Sequence, residues 1–248
     1  MRYLILSDIH SNIEAFTACI QRAKQAGYDS VLCCGDIVGY GPSPVEAIDA
    51  IRGLNAVTIR GNHDRVAAGL DEATQFNPHA RHAVYWTRAM LPDSYRDYLV
   101  SLPVGPLEIT PQAQLVHGAL THEDDYIFTE ADADENFVLT DKHLTFFGHS
   151  HFPVVFCTNG KGDSYQATSY EFDEFIAVKC EAGKKLLINP GSVGQPRDGD
   201  VRASFAIWDE DRARIEFYRA EYDVKRTQDR MRAAELSNYL IDRLAHGR

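Results

Sequence analysis

The sequence is short of positive charge, with 25 lysines and arginines against 36 aspartates and glutamates and a formal net charge of −11. Proteins that track nucleic acid display clustered lysine and arginine, so we expect no stable nucleic-acid partner. No apolar run approaches the length of about 18 residues that a membrane helix needs, so we expect no membrane partner. We also expect no secretory signal, because a strand-like run at 3–6 directly follows Met1-Arg2.

Cysteines are few and follow no pattern of a disulfide framework or a thiolate metal site. There are 5 of them, an odd number, their spacing is irregular, and no Cys-x-x-Cys occurs. Free cysteines without such a pattern act as small buried hydrophobes. These features predict a reduced, cytoplasmic protein.

Short apolar runs alternate with helical periodicity in the N-terminal third. Runs 3–6, 30–34 and 55–59 are predicted to be strands, with helices between them starting near Ile13 and Ser43. This order predicts a parallel sheet with outer helices. After Gly105 the chain is β-rich and predicts a second, largely antiparallel sheet from runs 113–117, 143–147, 153–157, 173–179, 185–188, 202–208 and 213–218.

Two further segments are predicted to be helical. Residues 65–103 form a helical insertion, with a start at Asn77-Pro78 and a break at Pro92, which acts either as a lid or specificity element or as ordinary packing. Residues 222–245 predict one amphipathic closing helix, which packs within the chain or between chains, so the oligomeric state stays open. No linker divides the chain, and we expect one domain over residues 1–248.

Chemistry-bearing residues follow five of the apolar runs. Loops beyond the carboxyl ends of strands form the ligand crevice of α/β sheets, so these side chains are expected to converge. Each motif alone is weak evidence, because histidines also serve as polar caps and asparagines as turn residues. The ordered set is Asp8-Ile9-His10, Gly35-Asp36, Gly61-Asn62-His63-Asp64, His117-Gly118 and Gly148-His149-Ser150-His151.

The residue types indicate which ions the site would take. Imidazole, carboxylate and amide donors without thiolate suit manganese, iron, zinc or nickel better than calcium. Two ions about 3.5–4 Å apart share a bridging carboxylate and clamp the attacking and leaving oxygens of a phosphoryl displacement. We therefore expect two divalent ions, manganese first among the candidates.

This ordered set resembles the calcineurin-like metallophosphoesterase superfamily, whose pattern is D-x-H, G-D, G-N-H-D/E, H and G-H-x-H. The segments 35–42 and 189–197 are similar to those of small prokaryotic phosphodiesterases of the YfcE-like group and of diadenosine tetraphosphatase-like proteins. The resemblance implies an α/β fold, a four-layer α-β-β-α sandwich of two mixed sheets with outer helices.

The resemblance also implies a role for each matching residue. A hydroxide between the two metals would attack phosphorus in line, and His63 would lie beside the leaving oxygen as general acid or charge stabiliser. Asp64 would orient or polarise the imidazole of His63, an assignment of our own. The implied ligands are Asp8, His10 and His151 for the first metal, Asn62, His117 and His149 for the second, and Asp36 as the bridge.

One departure from the superfamily bears on the substrate. Its phosphoprotein phosphatases carry G-D-x-V-D-R-G, and this chain has Gly39 and Tyr40 at the positions of the second Asp and the Arg. Loss of a bidentate phosphate clamp weakens recognition of a dianionic monoester. Arg197 either replaces that charge or pairs with Asp198 or Asp200. We count Asn62, Tyr40 and Arg197 as substrate-binding candidates.

These observations favour an enzyme that hydrolyses phosphodiesters or small nucleotides, with a small phosphorylated substrate as its partner. The alternatives are a dinucleoside tetraphosphatase, a phosphomonoesterase or phosphoprotein phosphatase, and a non-catalytic scaffold. The complete ligand set argues against the scaffold. His79 and His82 share one helical face and either line the cleft or are solvated, the second being the simpler interpretation.

Overall fold

The structure is a computed structural model that describes residues 1–158, 165–169 and 175–248, with only the backbone described for 165–169. Its N-terminal part alternates strands with helices, as predicted. Asn12 caps the first helix by accepting from the backbone amide of Ala15, and Asn77 and Pro78 begin the fourth. The elements are β1 (Arg2–Leu6), α1 (Ile13–Ala26), β2 (Ser30–Cys33), α2 (Pro44–Gly53), β3 (Val57–Thr58), α3 (Asn62–Ala67), α4 (Pro78–Met90) and α5 (Asp93–Ser101).

The rest of the described chain is rich in strands, again as predicted. The helices α4 and α5 lie within the segment expected to be a helical insertion, while the single-domain organisation stays a prediction. The remaining elements are β4 (Leu107–Thr110), β5 (Ala113–Leu115), α6 (Glu130–Phe137), β6 (Leu144–Phe146), β7 (Pro153–Thr158), β8 (Tyr165–Ser169), β9 (Phe175–Lys179), β10 (Leu186–Pro190), β11 (Ala203–Asp209), β12 (Arg214–Ala220), α7 (Val224–Ala233) and α8 (Asn238–Leu244).

Both sheets are mixed, and each has six described strands. The first has the order β3-β2-β1-β11-β12-β9, and the second has the order β4-β5-β6-β10-β7-β8. In the first sheet β1, β2 and β3 are parallel, and in the second β5, β6 and β10 are parallel. Each sheet therefore has three parallel strands, here called its parallel triplet, whose carboxyl ends point the same way, and ligand sites gather beyond such ends.

Hydrophobic cores lie between the layers and join them. Ile5 and Leu32 of the first sheet share a core with Phe146 and Ile188 of the second, so the two sheets pack face to face. A second core lies between the first sheet and α1 and α2, and a third joins α6 to the outer face of the second sheet. The predicted α-β-β-α sandwich is confirmed.

Three predictions about these elements were wrong. The strand at 55–59 is only Val57–Thr58, because Asn55 has a φ of 50° and belongs to the turn after α2. The strands after Gly105 do not form one largely antiparallel sheet, since β9, β11 and β12 pair with the first sheet. Alternation of side chains indicates a strand but not its neighbours.

The third wrong prediction is the single closing helix at 222–245. It is two helices, α7 and α8, because Glu235 takes a left-handed φ of 56° that breaks the helical path. Both pack within the chain, where Met231 and Leu240 share a core with Tyr40 and with Ala80 of α4. Helix α6 was not predicted, although Thr129 and Asp132 form a capping box that signals its start.

Two further expectations concern the strand at 173–179 and the membrane. The first two residues of the strand predicted at 173–179 lie outside the described residues, and β9 covers the rest. Among the described helices, none has the length and apolar character to span a bilayer.

The core between the helices and the first sheet predicts a large loss of stability when the Phe205 side chain is truncated. This side chain is fully buried and stacks on Tyr218 with ring centroids 5.2 Å apart. Phe205→Ala should lower the free energy of unfolding by about 3–5 kcal/mol, because it leaves a cavity. Urea unfolding measures this, with Phe175→Ala as the control because Phe175 is 47% exposed. Equal losses in the two variants would contradict the described packing.

Candidate metal centre

The two parallel triplets bring the predicted site residues together at one edge. Asp8 follows β1, Asp36 follows β2, and Asn62 begins α3 just after β3. From the other sheet, His117 follows β5, and His149 and His151 follow β6. All seven predicted metal ligands are buried.

The backbone at these strand ends is strained. Left-handed φ angles are rare for residues with a Cβ and cost about 1–3 kcal/mol each. Backbone hydrogen bonds oppose this cost, since His10 donates to the Asp36 carbonyl at 3.0 Å and Asp8 donates to the Gly35 carbonyl at 3.1 Å. Five predicted ligands have such angles, between 48° and 65°: Asp8, His10, Asp36, His149 and His151.

One group of donor atoms comes from Asp8, His10 and His151. The Nε2 atoms of His10 and His151 lie 3.1 Å apart, and Asp8 Oδ1 lies 3.4 Å from the His151 Nε2. Ligands at right angles around an ion with bonds of about 2.1 Å are roughly 3 Å apart. The spacing therefore fits a common ion.

A second group comes from Asp36, His117 and His149. Asn62 joins it, because its Oδ1 lies 3.0 Å from the His117 Nε2. Asp36 Oδ2 is 3.5 Å from the His117 Nε2 and 3.6 Å from the His10 Nε2. One oxygen of Asp36 thus faces both groups.

Backbone carbonyls fix the ring orientations. The Nδ1 atoms of His10, His117 and His151 donate to the carbonyls of Val38, Cys34 and Gln195 at 3.0, 2.8 and 2.7 Å. Such bonds leave each neutral ring with its Nε2 lone pair available. The ring of His149 uses its two nitrogens in the opposite way. Its Nε2 donates a hydrogen bond to the Asp124 carbonyl at 3.1 Å, and its Nδ1 is left as the atom that can bind a metal.

Burial and neighbouring charges shift the pKa values of the clustered residues. It lowers the pKa of His149 to about 3, and it lowers those of His10 and His151 well below their usual range. Burial raises the pKa of Asp8 to about 7. It acts the same way on Asp36, but the neighbouring His117 and His63 outweigh it and hold that pKa below its usual range.

These residues fit a pair of cations. With their Nδ1 protons committed to carbonyls, the neutral rings of His10 and His151 aim two lone pairs at each other across 3.1 Å. That arrangement is repulsive unless a positive charge lies between them. At the other group, the carboxylate of Asp36 raises the pKa of His117 to about 10 against the effect of burial, so this group of donors favours a positive charge among its atoms.

His63 lies beside the carboxylate of Asp36. Its backbone amide donates to Asp36 Oδ1 at 2.9 Å, and its ring packs against Tyr40 and Phe76 with centroids 4.4 and 4.6 Å away. Among the described residues, its buried Nδ1 finds no hydrogen-bond partner. A Cβ on Gly39 would lie 2.3 Å from that Nδ1, so an aspartate cannot occupy position 39 without moving His63.

The role predicted for Asp64 needs correction. Its two carboxylate oxygens accept from the backbone amides of Val38 and Gly61, each at 3.1 Å. It therefore fastens the loops of Asp36 and Asn62 to each other and does not orient the imidazole of His63 through Nδ1. Gly61 leaves room for this arrangement, because a Cβ there would lie 2.1 Å from Asp36 Oδ1.

A cleft of about 230 Å³ opens over the two groups. Arg197 is the only lysine or arginine among the described residues that line it. Its guanidinium donates to the Tyr40 hydroxyl at 3.3 Å and to Gln195 Oε1 at 3.1 Å, and its buried Nε has no described partner. Asp198 pairs with Arg219 and Asp200 with Arg202, so the surface pairing considered for Arg197 does not occur.

Several cleft residues escaped the sequence analysis. Phe76 and Tyr126 line the cleft beside His63 and His149, and Asp124 lines it while its carbonyl orients His149. Their only sequence signal is closeness to a predicted motif. His79 and His82, in contrast, are exposed and do not line the cleft, as in the simpler interpretation.

A buried cluster of histidines and carboxylates at the edge of a two-sheet α/β fold is typical of metal-dependent phosphoesterases. The family model of the calcineurin-like phosphoesterase superfamily domain matches residues 1–213. The chain therefore belongs to the calcineurin-like phosphoesterase superfamily, and the predicted membership is confirmed.

Similar proteins come from distant organisms. A solved metallophosphoesterase from Sphaerobacter thermophilus is 39% identical, with 100% of both chains covered and a TM-score of 0.88. An uncharacterized protein of Methanocaldococcus jannaschii is 37% identical over 98% of this chain and 97% of its own length. A hypothetical protein of Pyrococcus horikoshii shares the fold at 24% identity and a TM-score of 0.80, covering 100% of this chain and 98% of its own.

Metal binding should stabilise the protein through Asp36. At a free Mn²⁺ concentration about 100 times the dissociation constant, the free energy of unfolding should rise by about 2.7 kcal/mol, because the ion binds only the folded chain. Asp36→Asn should lose most of this gain. Asp93→Asn is the matched control, since the Asp93 side chain is 87% exposed. Thermal unfolding with and without Mn²⁺ measures the gain, and an undiminished gain in Asp36→Asn would refute the assignment.

Proposed function

We propose that this protein is a dinuclear-metal phosphoesterase that hydrolyses phosphodiesters or small nucleotides. The observation that carries the proposal is the position of Asp36 Oδ2, 3.6 Å from the His10 Nε2 of one group and 3.5 Å from the His117 Nε2 of the other. A single carboxylate between two sets of donors is the arrangement that a two-metal site requires.

The residues divide the work between holding ions and handling the substrate. Two divalent ions, manganese first and iron, zinc or nickel next, would supply an activated water for in-line attack and neutralise phosphate charge. Asn62, Tyr40 and Arg197 line the cleft and would bind the phosphate oxygens. His63 lines it as well and would hold the proton that the leaving oxygen needs.

Charge in the cleft favours a diester over a monoester. Arg197 is the one cationic side chain among the described residues that line the cleft. A phosphodiester carries one negative charge, whereas a monoester at neutral pH approaches two. The Tyr40 hydroxyl, where the superfamily's phosphoprotein phosphatases hold an arginine, adds no charge. A phosphomonoesterase or phosphoprotein phosphatase is therefore the weaker candidate.

The other candidates differ in how they use the same site. A dinucleoside tetraphosphatase would need a position for a second nucleoside in addition to the metal-bound phosphate. A non-catalytic scaffold has no use for buried ligands held at strained φ angles. The partner we propose is thus a small phosphorylated molecule, and the free state of all the cysteines supports a cytoplasmic location.

The first test compares leaving groups. With Mn²⁺ the protein should hydrolyse bis(p-nitrophenyl) phosphate with a higher kcat/KM than p-nitrophenyl phosphate. His63→Ala should lower kcat by about 100-fold or more on diphenyl phosphate, whose leaving group is more basic, and by less on bis(p-nitrophenyl) phosphate. His79→Ala is the control, because His79 is exposed outside the cleft.

Equal losses of kcat on the two esters in His63→Ala would show that His63 does not supply a proton to the leaving oxygen. Absence of turnover of any diester, monoester or dinucleoside polyphosphate, with metal content verified, would refute the proposed function.

Arg197 should act on binding of the phosphate. Arg197→Ala should lower kcat/KM for bis(p-nitrophenyl) phosphate by about 10-fold or more, because hydrogen bonds to charged groups contribute about 1.5–3 kcal/mol. Arg212→Ala is the control, since the Arg212 side chain is 66% exposed. Steady-state kinetics at fixed Mn²⁺ measures the loss, and a change of less than twofold would exclude Arg197 from substrate binding.

A further inference from the structure

Three exposed aromatic side chains form a continuous shelf beside the cleft. Tyr126, Phe128 and Phe152, here called the aromatic shelf, are 45%, 52% and 37% exposed. The rings of Tyr126 and Phe128 stack with centroids 5.0 Å apart, and Phe152 meets Phe128 edge to face at 5.9 Å. Neighbouring exposed aromatic rings on a soluble surface indicate a binding site.

The shelf begins at the metal centre itself. The Tyr126 ring stacks on His149, with centroids 4.0 Å apart and planes 18° from parallel, and Tyr126 lines the cleft. Phe152 directly follows His151 in the sequence. The phenol of Tyr126 also contacts the Arg197 guanidinium, which opposes the rise in its pKa that burial causes. A group that lies on the shelf can therefore belong to the same molecule as a phosphate in the cleft.

The loop that carries the shelf is firmly anchored. Arg65 of α3 bonds Asp124 through both of its terminal nitrogens and also bonds Glu123. Asp132 accepts from the backbone amides of Phe128 and Thr129 at 3.0 and 2.8 Å. The backbone that carries Tyr126 and Phe128 is thus held in position before a ligand arrives, which lowers the entropy cost of binding.

We infer that the aromatic shelf binds the nucleobase of a nucleoside phosphodiester while the phosphate lies at the metal centre. Bases stack on aromatic side chains through their π-faces. The surrounding carboxylates of Glu123, Asp124 and Asp125 outnumber the one arginine of the loop anchor, so a polyanionic strand is disfavoured and a small ester with one base fits. This inference rests on the proposed function and specifies its substrate.

The test uses two esters with the same leaving group. These are the p-nitrophenyl ester of thymidine 5′-phosphate and p-nitrophenyl ethyl phosphate, assayed with the Mn²⁺-loaded protein. Phe128→Ala should lower kcat/KM for the thymidine ester by about 10-fold and leave the ethyl ester within about twofold, because stacking involves only the base. Phe128→Trp should restore the thymidine value. Phe175→Ala is the matched control, an exposed phenylalanine of β9 far from the shelf in sequence.

Each outcome decides between the two claims. Turnover of both esters with no selective loss in Phe128→Ala overturns the shelf and leaves the phosphoesterase intact. No turnover of either ester, or of any other phosphate ester, by the parent protein refutes the proposed function. In that case calorimetric binding decides the shelf: thymidine 5′-monophosphate should bind about 10 times more tightly than ribose 5-phosphate, and Phe128→Ala should abolish the difference. Equal binding of the two ligands overturns it.

Discussion

The buried carboxylate of Asp36 joins the segments on which the site is built. Its Oδ1 accepts from the amide of His63, and its Oδ2 faces His10 from one donor group and His117 from the other. A buried charge without partners is costly, so these contacts must form together or not at all. The loops after β1, β2 and β3 of the first sheet and the loop after β5 of the second are therefore fitted around a single side chain.

The fold supplies the precision that this carboxylate needs. Parallel triplets in both sheets end at one edge, and the residues just beyond them adopt left-handed angles that are fixed by backbone hydrogen bonds across the loops. Asp64 fastens two of these loops, and Gly61 leaves the space that Asp36 Oδ1 fills. Strain at the ligands is thus balanced by packing and hydrogen bonding elsewhere, which is common at functional sites.

Residue order predicted the ligand cluster better than it predicted the surroundings of the cluster. Asp8, Asp36 and His117 could be found because each follows an apolar run, and ligand sites gather beyond the carboxyl ends of parallel strands. The sequence could not tell that β11 and β12 pair with β1, since alternation carries no information on neighbours. Nor could it reveal the stacking of Tyr126 on His149, because that contact depends on a loop fold set by Arg65. The role of Asp64 was misjudged for a similar reason. Its partners are backbone amides, and the residue types in a sequence do not show which amides a carboxylate will meet.

The most direct test of the central claim is anomalous X-ray scattering from crystals of the Mn²⁺-saturated protein. We expect two manganese peaks about 3.5–4 Å apart, one within bonding distance of Asp8, His10 and His151 and the other of Asn62, His117 and His149, with Asp36 touching both. A single peak at saturating manganese, or two peaks that do not share Asp36, would contradict it.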